Sequence, residues 1–184
     1  MAHASRGYSI MDAQLRTINS ERGTTLIETV IATALLLVVM VGLLGMAALA
    51  TVYTENHGHL EARTTEYAQD KMEQLQALPY TDVTSNTVVF PATPTGGTGL
   101  AIGGSINTAS PVNGYVDWLA YDGTLLGGGT TAPTTWFYKR VWKVELPTGT
   151  TGMKQMTVVA TVHHSVAKAL IPKSTVVTLK ASQF

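Results

Sequence analysis

From Thr29 to Thr54 the chain carries no Asp, Glu, Lys or Arg for 26 residues, and Glu28 stands at the head of that run. As a helix, Leu26 to Tyr53 extends about 42 Å, more than a bilayer core of about 30 Å. The segment is therefore expected to lie in a membrane or among other apolar helices, tilted or emerging at one end. An ionisable side chain within such a span costs about 2.5–3.5 kcal/mol at its centre, so Glu28 calls for a named partner. The bland alternative keeps Glu28 at the interface, snorkelling or capping the positive end of the helix dipole.

The charges around the span set its orientation. Arg6, Arg16 and Arg22 precede it, and Glu55, Glu61 and Glu66 are among the first charges after it. The excess of basic residues before the span predicts a cytoplasmic N-terminus and an outward-facing remainder. Residues 1–23 are too polar to insert. The 161 residues after them hold nine Lys plus Arg against ten Asp plus Glu, so bulk charge gives no reason to expect a nucleic-acid surface. The chain has no cysteine, so no disulfide holds the fold.

Past the span, Tyr53, Leu60, Tyr67, Ala68, Met72, Leu75 and Leu78 recur at helical spacing among Glu61, Arg63, Glu66, Asp70, Lys71 and Glu73. Pro79 ends the pattern, because the residue before a proline leaves the α region. One helix over about 26–78 is expected, apolar all round at first and then amphipathic. Gly42 and Gly45 weaken it slightly, either as a soft hinge or as points of close helix approach; their three-residue spacing is not that of a GxxxG pair.

From Thr81 to Thr135 there are twelve Thr, ten Gly and no Lys or Arg, which predicts loops and short edge strands. Thr87–Phe90 and Gly114–Leu119 read as strands, and 91–112 and 123–135 as surface loops. In Trp136–Leu146, Trp136, Tyr138, Trp142, Val144 and Leu146 alternate with Lys139, Lys143 and Glu145, interrupted by Arg140. Met156–His164 and Ser174–Lys180 continue the pattern, so 136–184 is expected to form an antiparallel meander. The fold class is α+β, a long N-terminal helix on a C-terminal antiparallel sheet.

The residues Gly23-Thr24-Thr25-Leu26-Ile27-Glu28, behind Arg22, resemble the prepilin motif of type IV pilins and type II secretion pseudopilins. That resemblance implies a leader, 1–23, removed after Gly23 by a prepilin peptidase, and N-methylation of Thr24, where the family more often has Phe or Met. It also implies that Glu28 serves subunit assembly. The chemistry supports the same pairing: a chain cut after Gly23 exposes a cationic α-amino group on Thr24, one helical turn from Glu28. In a filament with apolar helices inward, one subunit's carboxylate would neutralise its neighbour's amine.

Val41–Leu49 together with Tyr67–Leu75 is similar to minor pilins of the pilus-modification type and to I-type pseudopilins. The expected organisation is thus 24–53 as the membrane and filament-core helix and 54–184 as a globular pilin-like domain, held in the inner membrane and facing the periplasm before assembly. The partners implied are other pilin subunits and the prepilin peptidase. The nearest competing readings are a secretion pseudopilin, a major pilin, and a released protein cut by signal peptidase after Ala48-Leu49-Ala50. Against the last, the apolar run far exceeds the 7–15 residues of a signal-peptide core.

No catalytic constellation can be assembled, and neither cofactor nor metal is expected. Asp117 and Asp122-Gly123 lack the further carboxylates of a calcium loop. His163 and His164 would point to opposite faces of a strand, and His57 and His59 diverge on a helix.

Overall fold

The computed structural model describes the backbone of residues 8–163 and 171–182, with side chains from Thr25 onward. The chain divides into two compact units, Met1–Val52 and Tyr53–Phe184. A helix, α1, runs over Tyr8–Ala77. It contains no proline, and it begins well before the expected residue 26, since nothing in 8–25 breaks a helix. Pro79 stops it close to the expected end. Its last carbonyls are not orphaned: the Leu78 N–H turns back to Leu75 O at 3.3 Å, and Lys180 Nζ donates to Gln76 O at 2.6 Å.

Within the first unit, from Thr29 to Val52, α1 carries no Asp, Glu, Lys or Arg on any side. Sixteen large apolar side chains from Leu26 to Val52 are half or more exposed. Gly42 and Gly45 are helical, with open space where a Cβ would stand. Among the described residues, Thr25–Ala77 is the one helix long and apolar enough to cross a membrane.

Among the described residues of the second unit, eight strands follow the helix: β1 Ser85–Asn86, β2 Thr93–Gly96, β3 Gly103–Gly104, β4 Val116–Leu119, β5 Leu125–Gly128, β6 Tyr138–Glu145, β7 Met153–Val162 and β8 Lys173–Ala181. β1 and β2 pair separately. The main sheet has the order β5-β4-β6-β7-β8, with β3 also paired to β6, and every pairing is antiparallel. The meander β6-β7-β8 and the α+β class are as expected from the alternation, although His164, the expected end of the second strand, lies outside the described residues.

The core between helix and sheet joins Tyr67, Ala68, Met72 and Leu75 to Tyr138, Trp142, Val144, Met156, Val158 and Ala160. Leu60 and Leu78 are half-buried against it, whereas Tyr53, assigned to the same stripe, is 52% exposed. The other face of the sheet has its own small cluster, Val116, Trp118, Val141 and Val159. Trp136 packs there, edge-on to Trp118 at 4.8 Å and stacked on His163 at 4.0 Å, not with Tyr138 as the alternation implies. The reason is that β6 begins only at Tyr138, so the two-residue period does not extend back to Trp136; Leu146, beyond the other end, is exposed.

The Thr/Gly-rich region departs furthest from expectation. Thr87–Phe90 is a turn and bends, not a strand, because its backbone bonds to the helix: Thr87 O accepts from Lys71 Nζ, and Val89 O accepts from Gln74 Nε2 at 2.7 Å. Conversely β2, β3 and β5 lie in stretches expected to be surface loops. Leu100, in one of them, is fully buried, its N–H bonded to Asp82 O at 2.8 Å. β3 can reach β6 because Gly104 has φ of 81°, and a Cβ there would lie 2.2 Å from Trp142 O. Side-chain bulk is excluded where the two backbones meet.

Candidate functional site

The expected processing and assembly residues all lie on α1. Gly23 and Thr24 have helical backbone, and the Thr24 side chain lies outside the described residues. Glu28 is exposed, and among the described residues its carboxylate has no partner. Around it, Thr29 Oγ1 donates to Thr25 O at 3.0 Å and Leu26 O at 2.9 Å, and Thr33 Oγ1 donates to Thr29 O at 2.9 Å and Val30 O at 3.0 Å. Thr51 bonds back in the same way to Ala47 O at 3.0 Å. These hydroxyls are satisfied by their own helix, which suits surroundings without water. Glu28 is the one charged side chain from Thr25 to Thr54. The exposed apolar surface around it far exceeds the few hundred Å² usual on a soluble monomer, and so requires lipid or other protein to cover it.

A second group of charges, which the sequence pattern did not reveal, sits inside the globular unit. Lys71 on α1 is fully buried, with Nζ 2.8 Å from Asp117 Oδ2 on β4 and 4.2 Å from the Trp142 ring centroid. Lys71 also donates to Gln74 Oε1 at 2.8 Å and to Thr87 O. Arg140 on β6 grips the same carboxylate twice, Nε to Oδ1 at 2.8 Å and Nη2 to Oδ2 at 2.9 Å. Its Nη1 reaches Asp70 Oδ2 on α1 at 2.8 Å and Tyr67 O at 3.4 Å. Two cations and two anions thus tie helix to sheet, with Asp117 at the centre.

Burial pushes the Lys71 ammonium down to about 8, against the pull of Asp117 and with the repulsion of Arg140. Burial works to raise the Asp117 carboxyl, but Lys71 and Arg140 outweigh it and hold Asp117 below the usual carboxylate range. One anion serves two buried cations, which is why the lysine, the more easily neutralised of the two, is displaced. Lys71 was expected on the polar side of the helix and Asp117 was weighed only as a poor calcium ligand. The usable signals were positional: Lys71 falls four residues from both Tyr67 and Leu75 on the apolar stripe, and Arg140 interrupts the inward face of β6.

Asp122 serves the local backbone. Its Oδ1 accepts from the Thr124 N–H at 2.9 Å, closing the β4–β5 turn together with Gly123 N–H to Ala120 O at 3.1 Å. His57 pairs with Glu61 at 3.3 Å along the helix, and His164 lies outside the described residues. Among the described residues, no three His, Asp or Glu side chains are grouped as a metal would require.

Compared with protein-family models, with curated proteins and with solved structures, the chain matches none.

Proposed function

We propose that this chain is a structural subunit of a type IV pilus, a minor pilin with a pilin-like fold. It is held in the inner membrane by its apolar helix with the globular unit in the periplasm, and is then incorporated into the filament or primes it. The observation that carries this reading is Glu28: one carboxylate at the head of a helix that is apolar on all sides, one turn past Thr24 and behind Gly23. A membrane anchor alone needs the apolar surface but not the carboxylate. A subunit that moves from lipid into a bundle of like helices needs both, because the carboxylate then meets the α-amino group that cleavage after Gly23 creates on a neighbour's Thr24. Asp117, Lys71 and Arg140 hold the emerging helix on its sheet and take no part in that contact.

The test is the mass of the mature N-terminus together with incorporation into sheared filaments. Processing to Thr24, with or without one methyl group, and recovery in the filament fraction are expected. A retained leader, an N-terminus at Thr51, or absence from sheared filaments when the peptidase is present would overturn the proposal. Recovery with a secretion pseudopilus instead of a pilus would assign the same chemistry to a type II secretion system.

A further inference from the structure

We propose that α1 opens locally over residues 51–59, a joint between the part of the helix that lipid holds and the part that the sheet holds. A bilayer core takes about 20 helical residues, and up to about 25 when the helix tilts, so a span that starts at Leu26 ends by Ala50. Inside it water cannot replace a broken backbone bond, and the helix is enforced. At the other end, Leu60 is the first residue of α1 packed on the core, and Thr64, fully buried, bonds Ser174 at 3.0 Å. Every residue of 51–59 is exposed except His57, which is half-buried and pairs with Glu61 on the same helix. Neither support reaches this stretch.

Its sequence does not make up for that. Glu55 is its one strong helix former, counting Ala, Leu, Arg, Met, Lys, Gln and Glu, and most other positions hold β-branched, aromatic, Asn or His residues. Every other nine-residue window of Thr25–Ala77 holds at least two strong formers. Gly58 has open space where a Cβ would stand, so no packing requires a glycine there, and what it brings is backbone freedom. A stretch this short falls below the about 12–15 residues that an isolated helix needs in water, so its turns persist only as a continuation of their flanks. Two local features work against them. Thr51 Oγ1 donates to Ala47 O at 3.0 Å, competing with the backbone for that carbonyl. His57 Nε2 is shielded from water with no hydrogen-bond partner among the described residues, and opening hydrates it.

The stretch can therefore lose its helical bonds while the apolar part and the sheet-docked part keep theirs. A subunit that leaves lipid for a filament changes what surrounds its apolar helix and not its sheet; a stretch that neither holds absorbs the difference. Gly42 and Gly45 are not the joint, because both lie inside the part that lipid holds. Opening needs only a membrane-held helix, so it goes beyond the subunit reading and does not depend on it.

Backbone hydrogen exchange of the full-length chain in detergent, read on its peptides by mass spectrometry, tests this directly. Amides of 51–59 should exchange at least tenfold faster than those of 32–48 and of 62–76. Asn56→Ala combined with Gly58→Ala should slow exchange in 51–59 about tenfold, which is about 1.4 kcal/mol of helix propensity, and leave 62–76 unchanged. Gly42→Ala combined with Gly45→Ala should leave exchange in 51–59 as it was. Equal protection across 32–76 would overturn the proposal, as would fastest exchange around Gly42 and Gly45, or no slowing in the Asn56→Ala, Gly58→Ala chain. None of these outcomes depends on cleavage at Gly23 or on filament recovery.

Discussion

At the residue scale, two carboxylates in apolar settings have opposite consequences. Glu28 is exposed in a single chain, so its removal should leave the fold unchanged and act only where subunits meet. Glu28→Ala is expected to reach the membrane in normal amount and to drop at least tenfold in sheared filaments, read by immunoblot of the two fractions. Asp117 is the reverse case, since it neutralises Lys71 and Arg140 where water cannot. Asp117→Ala strands both cations and should cost about 3–5 kcal/mol of stability, measured by denaturant unfolding of the detergent-solubilised chain. Asp70, 60% exposed on the rim of the same cluster, should cost no more than about 1 kcal/mol when changed to Ala. The cluster also gives stability a pH dependence. Lys71 holds its proton less firmly folded than unfolded, so between about 8 and the ordinary lysine value of about 10.4 the unfolded chain binds more protons, and the Lys71 contribution to stability rises with pH. Asp117 is held low in the folded chain, so its contribution is present above the ordinary carboxylate value of about 3.9 and is lost as pH falls through the folded value. Unfolding of Lys71→Met followed from pH 7 to 10.5 should lack the alkaline rise; the same rise in the variant would assign it to another group.

At the element scale, the helix and the three long C-terminal strands were legible because each repeats a simple period over many residues. The spacing from Leu60 to Leu78 marks a helix face, and the alternation in 136–146, 156–164 and 174–180 marks strands that the structure sets at 138–145, 153–162 and 173–181. The short elements were not. Thr87–Phe90 has β-branched residues enough for a strand, yet its carbonyls are claimed by Lys71 and Gln74 from the helix. Leu125–Gly128 reads as part of a surface loop and becomes β5 because β4 presents a free edge beside it. β3 is two glycines whose value is the absence of a side chain. Gly104→Ala combines a positive φ with a clash at Trp142 O and is expected to destabilise by about 1–3 kcal/mol, visible as a lower Tm by circular dichroism. Gly42→Ala meets open space inside a helix and should raise helix stability by up to about 1 kcal/mol; a fall in filament incorporation with unchanged folding would show that its small size matters between subunits.

At the scale of the whole molecule, the two units follow different rules. From Leu26 to Val52 the large apolar side chains of the first unit face outward, whereas Tyr53–Phe184 buries two clusters on either side of one sheet. A chain beginning at Tyr53 should therefore stay in the aqueous phase of a detergent phase separation, while the full-length chain enters the detergent phase; equal partitioning would mean that the apolar helix is covered within the chain. The sequence alone determined the apolar span, its lone carboxylate, the basic residues before it and the periodic elements after it. Each of these is a matter of composition or of contacts a few residues apart, and local physics fixes them. Only the tertiary structure decided that Lys71 points inward, that Asp117 is a clamp between helix and sheet, that Trp136 belongs to the far face and that Leu100 is core. Those outcomes depend on which residues distant in the chain arrive at the same place. A charge is buried only where its counter-charge is delivered: Asp117 reaches Lys71 from a strand 46 residues further along the chain, and Arg140, 69 residues on from Lys71, shares the same carboxylate.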